Sequence, residues 1–228
     1  MKTISELLKE KGRIFIIPLD HPPGEDTAIL EKIGIQKFVD SIDKLKHEGY
    51  IFHSRYYAKN PIKTSKDFFL TVGEMPDNFK FPIEELAKLK EVKNLTIFFE
   101  VDSENDKKPV EFYKSYVTEL KKKGYIVMAM GYPSQKYDHP SYQIVANIAK
   151  DIGCDYFKTD YFEEIQNLNL MGMKQFIAGG KFIEEGKFKE FARNVERLKT
   201  ASASFGRNIF ESNNPEKRIN MIVRLFKK

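Results

Sequence analysis

The residues best suited to chemistry are a lysine, a tyrosine and an aspartate, each in unusual company. Lys158 stands in the apolar, aromatic run Tyr156-Phe157-Lys158-Thr159-Asp160-Tyr161. An ammonium in such surroundings is partly stripped of water, which disfavours its charged form, and a nearby cation such as Lys181 or Arg207 would push the same way. The neutral amine that results can attack a ketone or aldehyde and form an imine. The same placement also suits a lysine that lays its stem along a strand end and keeps its charge in water. Tyr132, in Gly131-Tyr132-Pro133, offers a phenol that can give or take a proton, or it belongs to a turn. Asp20, in Leu19-Asp20-His21-Pro22-Pro23-Gly24, can act as acid or base, or shape a turn before the two prolines.

A second group of residues points to an anion. Gly179-Gly180 and Gly206-Arg207 each let backbone approach a ligand closely, and Arg207 could add charge-assisted bonds. Each pair alone is a common turn. Together they fall where barrel enzymes commonly bind phosphate, in the loops after the seventh and eighth strands.

Other chemistries find little footing. The four histidines, His21, His47, His53 and His139, lack the spacing of a helical zinc site, and a lone cysteine, Cys154, reads as core. The chain carries neither a P-loop motif nor a dinucleotide-binding glycine fingerprint, so no metal or cofactor is expected. His53 and Arg55 could line a pocket or sit on the surface.

These groups must be positioned by alternating elements. Apolar, β-rich runs cover residues 13–19, 50–53, 68–72, 94–101, 125–130, 155–159, 175–178 and 200–205. Amphipathic stretches separate them: an opening helix over Ile4, Leu7 and Leu8, then 28–47 with a possible break at Gly34. Helices follow at 83–92, 109–123, 140–152, 182 or 185 to 199, and 215–226. The span 54–80 shows no convincing helix. Eight strands in this alternation predict a compact (β/α)8 TIM barrel, a single domain over residues 1–228, with a doubly wound α/β sheet as the runner-up. On that reading Lys158, Tyr132, Asp20 and both glycine pairs all fall at the carboxyl ends of strands, where barrel chemistry sits.

Composition narrows the partners. A net charge of +5 is the small difference between 38 basic and 33 acidic residues, intermixed as on solvated helix faces. That argues against nucleic acid, which selects concentrated basic patches. The opening residues lack a secretory apolar core, and no run approaches the roughly 20 apolar residues of a bilayer span. A cytoplasmic protein without a membrane partner is expected.

Taken in order, Leu19-Asp20-His21, Gly131-Tyr132-Pro133, the Lys158-Thr159-Asp160-Tyr161 element, Ala178-Gly179-Gly180 and Gly206-Arg207-Asn208 resemble the archaeal-type class I fructose-bisphosphate aldolases and the wider deoxyribose-phosphate aldolase group. The resemblance runs over residues 13–210, and residues 54–93 match by position alone. It implies Lys158 as the Schiff-base lysine, Tyr132 as proton donor or acceptor and Asp20 as the carboxylate beside the imine. It also implies that Gly179, Gly180, Gly206 and Arg207 hold the phosphate of a small carbonyl substrate, with no cofactor. Barrels of this kind often self-associate, so a homo-oligomer is expected.

The chain departs from that pattern twice. Pro22 stands where the group usually has glycine, and Ser134-Gln135 stand where it usually has arginine and glycine, which removes a cation. A less anionic substrate follows, or Lys136 or Arg55 substitutes. Two alternatives to aldol cleavage are an aldol or acyl transferase using the same lysine, and a barrel that binds a sugar phosphate without turnover.

Overall fold

The computed structural model describes residues 2–21 and 34–226. Its strands are β1 (Phe15–Pro18), β2 (Gly49–His53), β3 (Asp67–Glu74), β4 (Phe79–Lys80), β5 (Asn94–Val101), β6 (Ile126–Pro133), β7 (Tyr156–Thr159), β8 (Lys174–Ala178) and β9 (Ser202–Ser204). They hydrogen-bond in the order β2-β1-β9-β8-β7-β6-β5-β3-β4, and β2 also pairs with β3. That extra pairing returns the order to its start, so the sheet closes on itself and β4 hangs antiparallel on β3. The fold is the (β/α)8 barrel that the alternation predicts; closure rules out the open doubly wound sheet.

The helices are α1 (Ile4–Lys11), α2 (Ile35–Ile42), α3 (Ser54–Tyr57), α4 (Ile83–Leu86), α5 (Lys108–Lys122), α6 (His139–Ile152), α7 (Glu185–Arg197), α8 (Arg207–Phe210) and α9 (Pro215–Phe226). Several expectations need correction. The helix read over 28–47 appears as α2 alone among the described residues, starting after Gly34 at φ +80; residues 22–33 lie outside them. The helix read over 83–92 shrinks to α4 followed by turns. The span without a convincing helix contains α3 and the β3–β4 hairpin. The strand read as ending at 130 continues to Pro133, so Tyr132 lies within a strand and not after it. No helix among the described residues is long and apolar enough to cross a membrane.

Two compact units are distinguishable, Met1–Phe68 with Ile177–Lys228, and Phe69–Phe176. In the first, α1 is fixed at its start by a capping box between Thr3 and Glu6. The Ile4 N–H donates to the buried Asp67 carboxylate at 2.7 Å, tying α1 to the start of β3. Helix α9 buries Ile219, Ile222 and Val223 on one stripe. In the second unit, Asp138 caps α6 by accepting from the Ser141 N–H, and Gly153 ends it in the left-handed region at φ +103. Helix α5 buries Tyr113, Tyr116, Val117 and Leu120, the kind of side chains that each contribute roughly 1.5–3 kcal/mol when removed from water.

Candidate active site

In the unit Phe69–Phe176, β5, β6 and β7 run parallel, and their register sets what can meet. Gly131 faces the helices: a Cβ there would lie 2.6 Å from Val145 Cγ1 of α6 and 3.1 Å from the Phe99 ring. Successive strand residues point to opposite faces, so Met130 and Tyr132 point the other way, into the ring. Lys158 is the register partner of Met130, and its Nζ lies 3.6 Å from Met130 Sδ, a weak acceptor. Only 7% of Lys158 is exposed. Lys158 and Tyr132 therefore share the inner face of adjacent strands, with the phenol-bearing residue two positions further towards the carboxyl end. The Tyr132 ring packs against Phe98 at 5.8 Å between centroids.

One residue of this face escaped the sequence reading. Glu100 is in register with Tyr132 and opposite in direction to Phe99, whose ring packs on Tyr113 of α5. It thus points to the same face as Tyr132, one strand spacing of about 4.8 Å away. The alternation Thr96, Phe98, Glu100 within residues 94–101 was the available signal. Deeper in, Thr71 and Thr96 share a hydrogen bond of 2.7 Å, and Phe69, Tyr156 and Phe176 fill the interior. Beyond Lys158, Asp160 accepts from the Tyr142 hydroxyl at 3.1 Å. Burial and this carboxylate push the Tyr142 phenol well above its ordinary range. Ser134, where the resemblance leads one to expect an arginine, donates through Oγ to Asp102 at 2.8 Å. A hydroxyl tied to a carboxylate occupies that position. Cys154 is core, as read, with burial pushing its thiol upward.

In the other unit, the exits of β1, β8 and β9 come together. Asp20 is 9% exposed just past β1, and the His21 ring meets Phe210 edge-on at 5.3 Å. Gly206 is required by close approach: a Cβ would lie 2.6 Å from the Pro18 carbonyl oxygen and 2.9 Å from His21 Cε1. The Gly179 N–H continues the ladder to the Ser204 carbonyl at 3.1 Å, and a Cβ there would stand 3.2 Å from Phe205 Cα. Gly180 follows in the left-handed region at φ +66. Arg207 opens α8, half-buried. Asp20, both glycine pairs and Arg207 are thus on neighbouring exits. His53 does a local job, its Nδ1 accepting from the Arg55 N–H at 3.1 Å to cap α3, while the Arg55 side chain is exposed. Pro22 lies outside the described residues. Among the described residues no three His, Cys, Asp or Glu side chains gather as a metal-ligand group.

No family model matches the sequence, and no curated protein does either. Solved structures do match. An archaeal fructose-1,6-bisphosphate aldolase, with its catalytic lysine bound to the carbinolamine intermediate of the substrate, superposes with a TM-score of 0.80 at 15% identity, covering 97% of this chain and 98% of that one. A fructose-bisphosphate aldolase from Slackia heliotrinireducens gives 0.64 at 14% identity, covering 96% and 86%. An orotidine 5'-monophosphate decarboxylase from Methanocaldococcus jannaschii gives 0.57 at 15%, covering 95% and 99%. At these identities the likeness establishes the barrel fold.

Proposed function

We propose that this chain is a Schiff-base-forming, class I aldolase acting on a small phosphorylated sugar or ketone. The observation that carries the reading is Lys158: an amine 7% exposed on an inward strand face, beside a strand that presents a phenol to the same side. The likeness to Schiff-base aldolases over nearly the whole chain supports it.

The chemistry uses an imine's capacity to accept electrons. Lys158 Nζ attacks the ketone carbon, the carbinolamine loses water, and a protonated imine forms. Tyr132 takes the proton of the hydroxyl on the carbon that becomes the aldehyde. The electrons of the breaking C–C bond flow into the iminium and leave an enamine; reprotonation and hydrolysis return the amine and the second product. Asp20 is assigned proton transfers at hydroxyl and imine. Gly179, Gly180, Gly206 and Arg207 are assigned the phosphate, whose binding energy positions the reacting carbons. None of these steps needs a metal.

Borohydride treatment in the presence of dihydroxyacetone phosphate or fructose 1,6-bisphosphate, followed by peptide mass mapping, tests the reading. An adduct at Lys158 is expected, and Lys158→Met should eliminate it. Turnover that survives this substitution and disappears with a chelator would overturn it. A second reading, aldol or acyl transfer by the same lysine, is favoured by the Ser134–Asp102 pair, which disfavours a strongly anionic group near that loop. Transfer assays alongside cleavage assays separate the two.

A further inference from the structure

The loop between β8 and α7 is held by two polar side chains to which the proposed chemistry gives no role. Asn208 is fully buried and spends its amide on this loop. Its Nδ2 donates to the carbonyls of Gly179 at 2.8 Å and Lys181 at 3.0 Å, and its Oδ1 accepts from the Ile183 N–H at 2.8 Å. Arg218, 6% exposed, reaches in from α9. Its Nη2 donates to the Ile183 carbonyl at 2.8 Å, and its Nη1 donates to the Asn208 carbonyl at 3.0 Å and to Asn208 Oδ1 at 3.3 Å. The guanidinium lies over the Phe182 and Phe188 rings, 4.7 and 4.6 Å from their centroids.

Burying a guanidinium carries a desolvation penalty, and a well-packed apolar residue of similar size often serves stability as well or better. What such a residue cannot do is hold specified carbonyls in specified directions. The direction has a consequence. The peptide bonds here are trans, so each C=O points opposite to the N–H that follows it. With the Gly179 and Lys181 carbonyls both turned onto Asn208, the N–H groups of Gly180 and Phe182 must point away from it. The left-handed conformation of Gly180 allows the chain to turn between them.

We propose that Asn208 and Arg218 are positioning residues for anion recognition: they hold the Gly179–Ile183 backbone so that the Gly180 and Phe182 N–H groups are presented as paired donors to a substrate phosphate that neither side chain touches. The inference rests on the assignment of the phosphate to the glycine turns. It adds to that assignment which donors are used and what fixes them.

The test compares wild type, Asn208→Asp and Arg218→Lys for binding of inorganic phosphate by calorimetry, and for trapping of dihydroxyacetone phosphate against unphosphorylated dihydroxyacetone. Asn208→Asp keeps the shape and the acceptor but loses both donors to the loop; Arg218→Lys keeps the charge but loses the fork. Each variant is expected to bind phosphate about tenfold more weakly, the loss that goes with misaligned donors. The preference for the phosphorylated ketone should fall by a similar factor, with KM moving more than kcat. Arg218→Met controls for burial of the charge: if it restores the melting temperature without restoring the preference, geometry is the cause. Folded variants that keep the wild-type preference would overturn the proposal while leaving the phosphate site intact. Wild type that binds no phosphate and shows no preference would overturn the phosphate assignment itself, and this inference with it.

Discussion

The unit bearing Lys158 and the unit bearing the glycine turns solve different problems. On β5, β6 and β7 the reactive groups are side chains, and strand register alone decides which of them meet: Met130 opposite Lys158, Tyr132 opposite Glu100. At the exits of β1, β8 and β9 the candidate groups are largely main chain, so their direction depends on what grips the loop. There Asn208 grips residues nearly 30 positions earlier, as in its bond to Gly179 at |i−j| of 29. A face built from side chains is robust to loop changes and sensitive to a single functional group. A face built from backbone has the reverse weakness.

The sharpest way to break the first region is Lys158→Met. Adduct formation and turnover should fall to the limit of detection, while stability holds or rises, because an apolar side chain replaces a buried amine. Thermal melting beside the borohydride assay checks both halves. A clear loss of stability would mean that the lysine is structural. Tyr132→Phe keeps the ring on Phe98 and removes only the hydroxyl. Loss of a positioned general acid–base lowers kcat by about 10²–10⁴-fold with little change in KM. An unchanged kcat would move the proton-transfer role to another group, with Glu100 the first candidate and Glu100→Gln the next variant to assay.

A matched pair of glycine substitutions compares the regions directly. Gly131→Ala and Gly206→Ala would each place a Cβ 2.6 Å from its nearest neighbour, but the neighbours differ. At 131 the obstacle is Val145 Cγ1, which can shift with its helix; at 206 it is the Pro18 carbonyl oxygen, which is backbone. Overpacking of this kind costs about 1–3 kcal/mol, or roughly 2–4 °C in melting temperature per kcal/mol for a chain of this size. Gly206→Ala is expected to be the more destabilising and to weaken phosphate binding, whereas Gly131→Ala should act on kcat by tilting Tyr132. Equal effects on both readouts would remove the distinction drawn between the two regions.

The same contrast explains what could be read from the sequence. Strand β5 and helix α9 match the residues read for them, 94–101 and 215–226, since alternation and amphipathic spacing announce both. Lys158 stands out in the sequence as a cation within an aromatic run, whereas the glycine pairs stand out only together, as two common turns at two successive strand ends. The sequence nevertheless puts Tyr132 after its strand, as Gly131 and Pro133 look like turn residues when the close approach of Val145 is unseen. Glu100, which is exposed, reads as one more solvated glutamate near a strand end until register pairs it with Tyr132. Helices α3 and α8 span four residues each, too short for any period to show. Asn208 and Arg218 could not be paired from sequence, because most of their partners are backbone groups, which every residue has.

The effect most remote from the reacting groups concerns His47, which separates stability from chemistry in pH profiles. This ring is 3% exposed, packs edge-on to Phe15 and Tyr50, and has no hydrogen-bond partner for either nitrogen among the described residues. Burial, with the Lys66 cation adding to it, holds its pKa down at about 3 against an ordinary 6.5. The folded state therefore binds fewer protons than the unfolded chain between those values. The stability contributed by a neutral His47 is fully present above pH 6.5 and drains away as the pH falls towards 3, at up to about 1.4 kcal/mol per pH unit. Urea melts of wild type and His47→Phe between pH 8 and 4 should diverge with that slope, the variant losing less on acidification. Parallel curves would clear His47. If instead they diverge while adduct formation at Lys158 follows a separate pH curve, acid inactivation begins in the unit bearing the glycine turns, not at the amine.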